Sequence, residues 1–167
     1  MQFWQLAESR RSCLEFESTP IPRAALERCL LAAHWAVDPG RSQPWRLVIL
    51  WGEKPRARLA EALGVAPAHS AAVLLAVWCR PHAGDVPTPT ELLAVGAATA
   101  NLVLAAWEQG VGSLWLPEAL LGRPDVTRAC LGLEGEHLLG VLAMGYPAAV
   151  PPRPPRVPLE QCVRWAP

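Results

Sequence analysis

What this chain of 167 residues lacks narrows the choices first. It carries no charge surplus: fifteen Lys and Arg balance fifteen Asp and Glu. No global field therefore draws it onto nucleic acid or an anionic membrane, and any anionic ligand must be met by a local cluster. Lys54 is the only lysine; the other cations are arginines, which grip phosphate through a planar fork. The five cysteines, Cys13, Cys29, Cys79, Cys130 and Cys162, are odd in number, widely spaced and free of C-x-x-C pairs, which argues against a disulfide framework. The first residues lack the basic start and apolar run of a secretory signal. Both facts point to a reducing cytoplasm. The longest apolar stretch, Ala94 to Trp107, falls short of the ~20 residues a bilayer needs and carries Asn101, so no membrane span is expected. No G-x-G-x-x-G, P-loop or G-x-S-x-G motif occurs, leaving Rossmann, NTPase and hydrolase readings without support. Cys79 and His82 have ligand-like spacing, but a structural zinc needs four ligands and the chain offers no second pair, so no metal site is expected.

What is present is apolar content, 51% of residues, enough to build one sizeable core. A single domain over 1–167 is expected, with no repeat or linker. Leu26, Cys29, Leu30, Ala33 and Val37 follow helical spacing from Pro22 until Asp38-Pro39-Gly40 stops them. Trp45 to Trp51 is short and β-branched, a core strand, followed by a helix over Pro55 to Leu63 that Gly64 ends. Ser70 to Cys79 reads as a second buried strand. After a proline-rich loop the longest helix runs from near Thr90 to Gly110, its middle crowded with Gly96, Ala97, Ala98 and Ala100, which let another backbone come close. Ser113 to Leu116 is a short strand, Pro124 to Leu131 a helix and His137 to Met144 a last strand. The stretch Pro151 to Pro158 is too rich in proline for helix or inner strand, so 151–167 is expected to be an extended surface arm. Eight tryptophans are mostly packing groups, with Trp115 and Trp165 the two suspected of touching a ligand or partner.

Three ordered blocks carry a resemblance. The first is Arg10-Arg11-Ser12-Cys13-Leu14-Glu15-Phe16 with Ile21-Pro22 and a helix; the second is Ser42-Gln43-Pro44-Trp45-Arg46 entering a strand. The third runs from Gly96-Ala97-Ala98 through Asn101-Leu102 to Gly110-Val111-Gly112-Ser113-Leu114-Trp115, with Gly145-Tyr146-Pro147 and Arg156 closing the chain. Together they resemble the nitroreductase family of flavoproteins. The resemblance implies an α+β fold, an α/β/α sandwich around a mainly antiparallel sheet, in an intertwined homodimer that binds FMN at its interface. It also implies electron transfer from NAD(P)H through the flavin to a small-molecule acceptor such as a nitroaromatic or quinone. No acid, base or nucleophile constellation is found, so no catalytic side chain is assigned and the flavin carries the chemistry.

By the same resemblance Arg10, Ser12 and Arg156 meet the FMN phosphate, and Arg11 either helps or faces solvent. Gln43 reaches the ribityl chain and ring, and Leu116 and Pro117 lie against the isoalloxazine. Without the other blocks, an arginine pair after a helix would read as merely solvated. Three positions depart from the family pattern. Leu14 stands where a basic residue is usual. Val37 to Arg41 replaces a hydroxyl-rich lead, with Arg41 the candidate to restore the charge absent at Leu14 and Asp38 a repulsive group if it points inward. The usual backbone donor to flavin N5 falls on Pro117, which has no N–H, unless a shift of one residue gives the role to Glu118. These departures keep open a second expectation, a flavin-free dimer that binds another small molecule in the interface cleft.

Overall fold

All seven residues of Val73–Cys79 are buried, and the layers form around them. A computed structural model describes residues 2–116 and 123–166. Its helices are α1 (Phe3–Ser9), α2 (Arg23–His34), α3 (Glu53–Leu63), α4 (Ala66–Ser70), α5 (Pro89–Glu108) and α6 (Pro124–Ala129). Its strands are β1 (Trp45–Leu50), β2 (Val73–Cys79), β3 (Gly112–Trp115) and β4 (His137–Gly145). They form one sheet in the order β1-β2-β4-β3, and every pairing is antiparallel.

Side chains alternate across a strand, and here both faces are covered. Leu74, Ala76 and Trp78 of β2, with Val141 and Ala143 of β4, pack against Leu59, Leu63, Val126 and Ala129 of α3 and α6. Val73, Leu75 and Val77, with Leu142 and Met144, pack against Leu26, Cys29, Ala98 and Leu102 of α2 and α5. The fold is therefore α+β, a sheet between two helical layers.

The periodic elements fall within two residues of where the sequence places their ends, with two larger differences. The strand expected from Ser70 begins only at Val73, because 66–70 form the short helix α4 with Pro67 in its first turn. The helix from Pro22 ends at His34, ahead of the Asp38-Pro39-Gly40 stop. Gly64 ends α3 in the left-handed conformation, φ 67°, as a C-terminal glycine commonly does. By length and composition alone, with mean hydropathy 1.4, α5 could cross a membrane. Instead its Ala94, Val95, Ala98, Leu102 and Ala106 are core residues, while Gly96 and Ala100 are exposed.

The start of α5 is fixed by a buried carboxylate. Glu91, 6% exposed, accepts from the N–H of His82 (2.6 Å) and from the N–H and Oγ1 of Thr88 (2.8 and 2.9 Å). Thr88 Oγ1 accepts in return from Glu91 N, completing a capping box. The donors from Thr88 and His82 outweigh burial and hold the Glu91 pKa below its ordinary 4.5. A depressed pKa contributes stability that is present above the unfolded-state value and lost as pH falls through the folded one. Glu91→Ala is expected to lower Tm at neutral pH, and its gap from wild type should narrow as thermal melts are taken below pH 4.5.

Candidate functional site

The segment after α1 is stitched to the sheet edge. Trp107 Nε1 donates to Ser9 Oγ at 3.1 Å, holding α1 against α5, and the N–H of Arg10 closes the helix on Leu6 O. Ser12 then bridges Ser113 in parallel, and Phe16 bridges Pro147 in antiparallel fashion. Cys13 N donates to Ser113 O (3.1 Å), Glu17 N to Tyr146 O (2.8 Å) and Ala148 N to Glu15 O (3.1 Å). Cys13 and Phe16 point inward, 0% and 6% exposed, and they fit because two strand residues have no side chain. A Cβ on Gly112 would stand 2.7 Å from Cys13 Sγ and 2.9 Å from Pro147 Cγ; one on Gly145 would stand 2.7 Å from Phe16 Cβ. Burial raises the Cys13 pKa above its ordinary 9.0, outweighing the Ser113 hydrogen bond and the Arg10 charge. Cys13 is thus a neutral packing group.

Two adjoining hollows share Arg10 and Ser12. The first, of about 400 Å³, lies between Arg10, Arg11 and Ser12 and the arm residues Pro151, Arg153 and Arg156. Arg153 pairs with Glu8 at 2.7 Å, which ties the arm to α1. Arg11 Nη1 donates to Glu8 O and Arg10 O (2.8 and 2.9 Å), so that nitrogen closes its own turn. The guanidinium groups of Arg10 and Arg156 have no hydrogen-bond or ion-pair partner among the described residues. The second hollow, of about 370 Å³, runs from Arg10 and Ser12 between α5 and the sheet, past Gly96, Ala100, Trp115 and Leu142. Trp115 is 43% exposed, and its indole lies over Gly140, where a Cβ would collide with the ring. An apolar cleft therefore opens beside a cationic pocket.

The other residues marked in the sequence are placed differently. Leu116 is 1% exposed and packed in the core, and its N–H donates to Val141 O at 2.9 Å. Its side chain therefore lines neither hollow and packs on the α3/α6 face of the sheet, away from the cleft where the resemblance places a ring. Pro117 and Glu118 lie outside the described residues. Arg41 and Gln43 line neither hollow. Their loop lies where Gly40 and Ser42 face His82, Thr88 and Glu91. Both are left-handed, with φ 51° and 45°, an uncommon conformation for residues with a side chain. Asp38 holds them there, its carbonyl accepting from Arg41 N and its carboxylate from Gln43 N at 2.6 Å. Asp38 is a loop clamp. Within one chain, then, Arg10, Arg11, Ser12 and Arg156 come together, while Arg41 and Gln43 stand apart.

Sequence reasoning named Arg156 but missed Arg153 and its partner Glu8. A polyproline helix has three residues per turn, so Arg153 and Arg156 in a proline-rich stretch share one side. That spacing was the available signal.

The Nitroreductase family model matches residues 7–77 and 64–146, which spans most of the described fold. A chain from Archaeoglobus fulgidus, described as a candidate NADH dehydrogenase/NAD(P)H nitroreductase, is 30% identical over 146 residues, covering 83% of this chain and 82% of its own. The nitroreductase-like family protein from Bacillus cereus superposes with TM-score 0.85 at 21% identity, over 99% of this chain and 96% of its own. The NADPH:FMN oxidoreductase of Vibrio harveyi, solved with NAD+, gives TM-score 0.84 at 20% identity over 97% and 76%. The chain belongs to the nitroreductase family, a family of oxidoreductases.

Filling the space at the sheet edge should dislodge the arginine-bearing segment. Gly112→Ala is expected to cost about 1–3 kcal/mol, the usual penalty of overpacking, read as a lower denaturation midpoint by tryptophan fluorescence.

Proposed function

We propose that the protein is a homodimeric, cytoplasmic oxidoreductase that binds FMN. In this reading it passes electrons from NAD(P)H to a small acceptor such as a nitroaromatic or quinone. The observation that carries this reading is the pair of partnerless guanidinium groups, Arg10 and Arg156, facing one hollow beside an apolar cleft. Two arginine forks and the Ser12 hydroxyl suit a phosphate dianion, and the adjoining cleft suits a flat ring. Bound FMN supplies hydride-accepting chemistry that no side chain here provides.

The chain's own part is to hold and shield. Arg10 and Arg156 bind the phosphate from opposite sides, one on the sheet-edge segment and one on the arm. Ser12 adds a donor, and the Glu8–Arg153 pair keeps the arm in place. Arg11 adds positive charge from a turn already closed by its own hydrogen bonds. Arg41 and Gln43 reach this site from the second subunit, and their strained backbone agrees with a role in binding. Five cysteines without a disulfide agree with a reducing compartment. The rival reading, a flavin-free dimer that binds another small molecule, needs that molecule to carry an anionic group for the same two arginines.

Exposed apolar groups support the dimer. Phe3, Trp4, Trp35 and Leu93 are 71%, 59%, 79% and 73% exposed, and Trp165 on the arm is 91% exposed. Large apolar side chains exposed to this degree are the kind a partner surface covers, and in this reading a second copy covers them. Sedimentation equilibrium is expected to give a dimer; a stable monomer that binds flavin would contradict the shared site.

Titration with FMN should show saturable binding, with NAD(P)H oxidation once an acceptor is added. Arg10→Ala and Arg156→Ala should each weaken FMN binding by about tenfold to a hundredfold, the loss of one charge-assisted hydrogen bond of roughly 1.5–3 kcal/mol. Unchanged affinity in both would remove the phosphate assignment.

A further inference from the structure

The apolar cleft contains one large aromatic surface whose position looks built. Trp115 stands on the edge strand β3, opposite Leu142 of β4, and its indole covers Gly140 on the neighbouring strand. Any other residue at position 140 would drive the ring off, so the glycine lets the indole lie down on the sheet. One part of the ring is packed in this way and the rest is open, leaving Trp115 43% exposed. It lines the same hollow as Arg10 and Ser12.

The helix side of that hollow is kept empty by a second glycine. Gly96 lies inside the 20-residue helix α5, where glycine costs about 1 kcal/mol relative to alanine. Nothing stands within 4 Å of a Cβ added there, so packing within the chain does not require its absence. Ala100, one turn further on, is also small and lines the same hollow. The cleft thus combines a fixed aromatic surface, a helix wall kept low at Gly96 and Ala100 between Thr99 and Val103, and a cationic end.

From this combination we propose that Trp115 is the stacking surface for the flavin ring, held for that purpose by Gly140, and that Gly96 keeps the space beside it open. The inference rests on the FMN reading above. An indole in contact with the isoalloxazine quenches its fluorescence by electron transfer, so the arrangement has an optical signature separate from turnover. Stacking also adds affinity beyond that of the phosphate anchor, at the scale of one aromatic pair.

The test uses the full-length protein titrated with FMN while flavin emission is read. In wild type, emission should fall as FMN binds. Trp115→Phe keeps an aromatic group on Gly140 and removes the indole. It should still bind, no more than about tenfold more weakly, with bound-flavin emission several-fold higher than in wild type. Gly96→Leu, whose side chain enters open space, should fold with an unchanged far-UV spectrum and bind FMN at least tenfold more weakly. If wild type binds and quenches FMN while Trp115→Phe does so equally, the stacking assignment is wrong and the cofactor reading stands. Normal FMN affinity in Gly96→Leu would overturn the role given to that glycine. A wild type that does not bind FMN removes the cofactor reading and this inference together.

Discussion

The packing of Cys13 and Phe16 against two glycines is the contact on which the site depends. Arg10 and Ser12 belong to no long element; α1 has only seven residues, and the segment beyond it touches the sheet through isolated bridges. Its position is set because Cys13 fills the space above Gly112 and Phe16 the space above Gly145. Those two buried anchors orient the polar residues before and between them. Hydrogen bonds from Cys13, Glu17 and Ala148 fix the register, but the van der Waals fit fixes the depth. Since protein interiors pack as tightly as crystals, the segment has little room to shift, and the arginine inherits the rigidity of the sheet.

Much of the fold was legible because its signals are periodic and redundant. β2 shows as a run of apolar residues because both of its faces are buried, and α5 shows by length and by its cap. The misses are short or non-periodic. α4 has five residues, one of them Pro67, too few for an apolar stripe to appear. Gln43 and Arg41 give no hint of a left-handed backbone, since neither is the glycine or asparagine that usually signals it. Glu91 reads as an ordinary first-turn acid, and only the folded chain shows that it gathers the His82 loop as well.

The candidate site divides in the same way. Its local part, Arg10 to Ser12, is a contiguous motif and could be read directly. Arg156 joins it from the far end of the sequence only because the arm turns back across α1, a path proline content suggests but does not specify. Leu116 was legible as a neighbour of the cleft; that its side chain faces the core is a matter of its burial after an alternating strand. Arg41 was grouped with the phosphate residues and Gln43 with the ribityl chain and ring by resemblance alone, and one chain keeps both apart from Arg10 and Arg156. Residues that no spacing or periodicity links leave nothing in the sequence by which their separation could be measured.

The arm's proline content has a mechanical consequence. With φ fixed at four of the five residues from 151 to 155, the arm has few conformations to lose on docking, so even the exposed Glu8–Arg153 pair, a contact usually worth under about 1 kcal/mol, can decide where it rests. Stiffness also makes it a ruler. Each residue of a polyproline helix advances about 3.1 Å, comparable to the whole length of a hydrogen bond, so the number of residues between Pro151 and Arg156 sets the reach of the guanidinium in steps too coarse for side-chain adjustment alone.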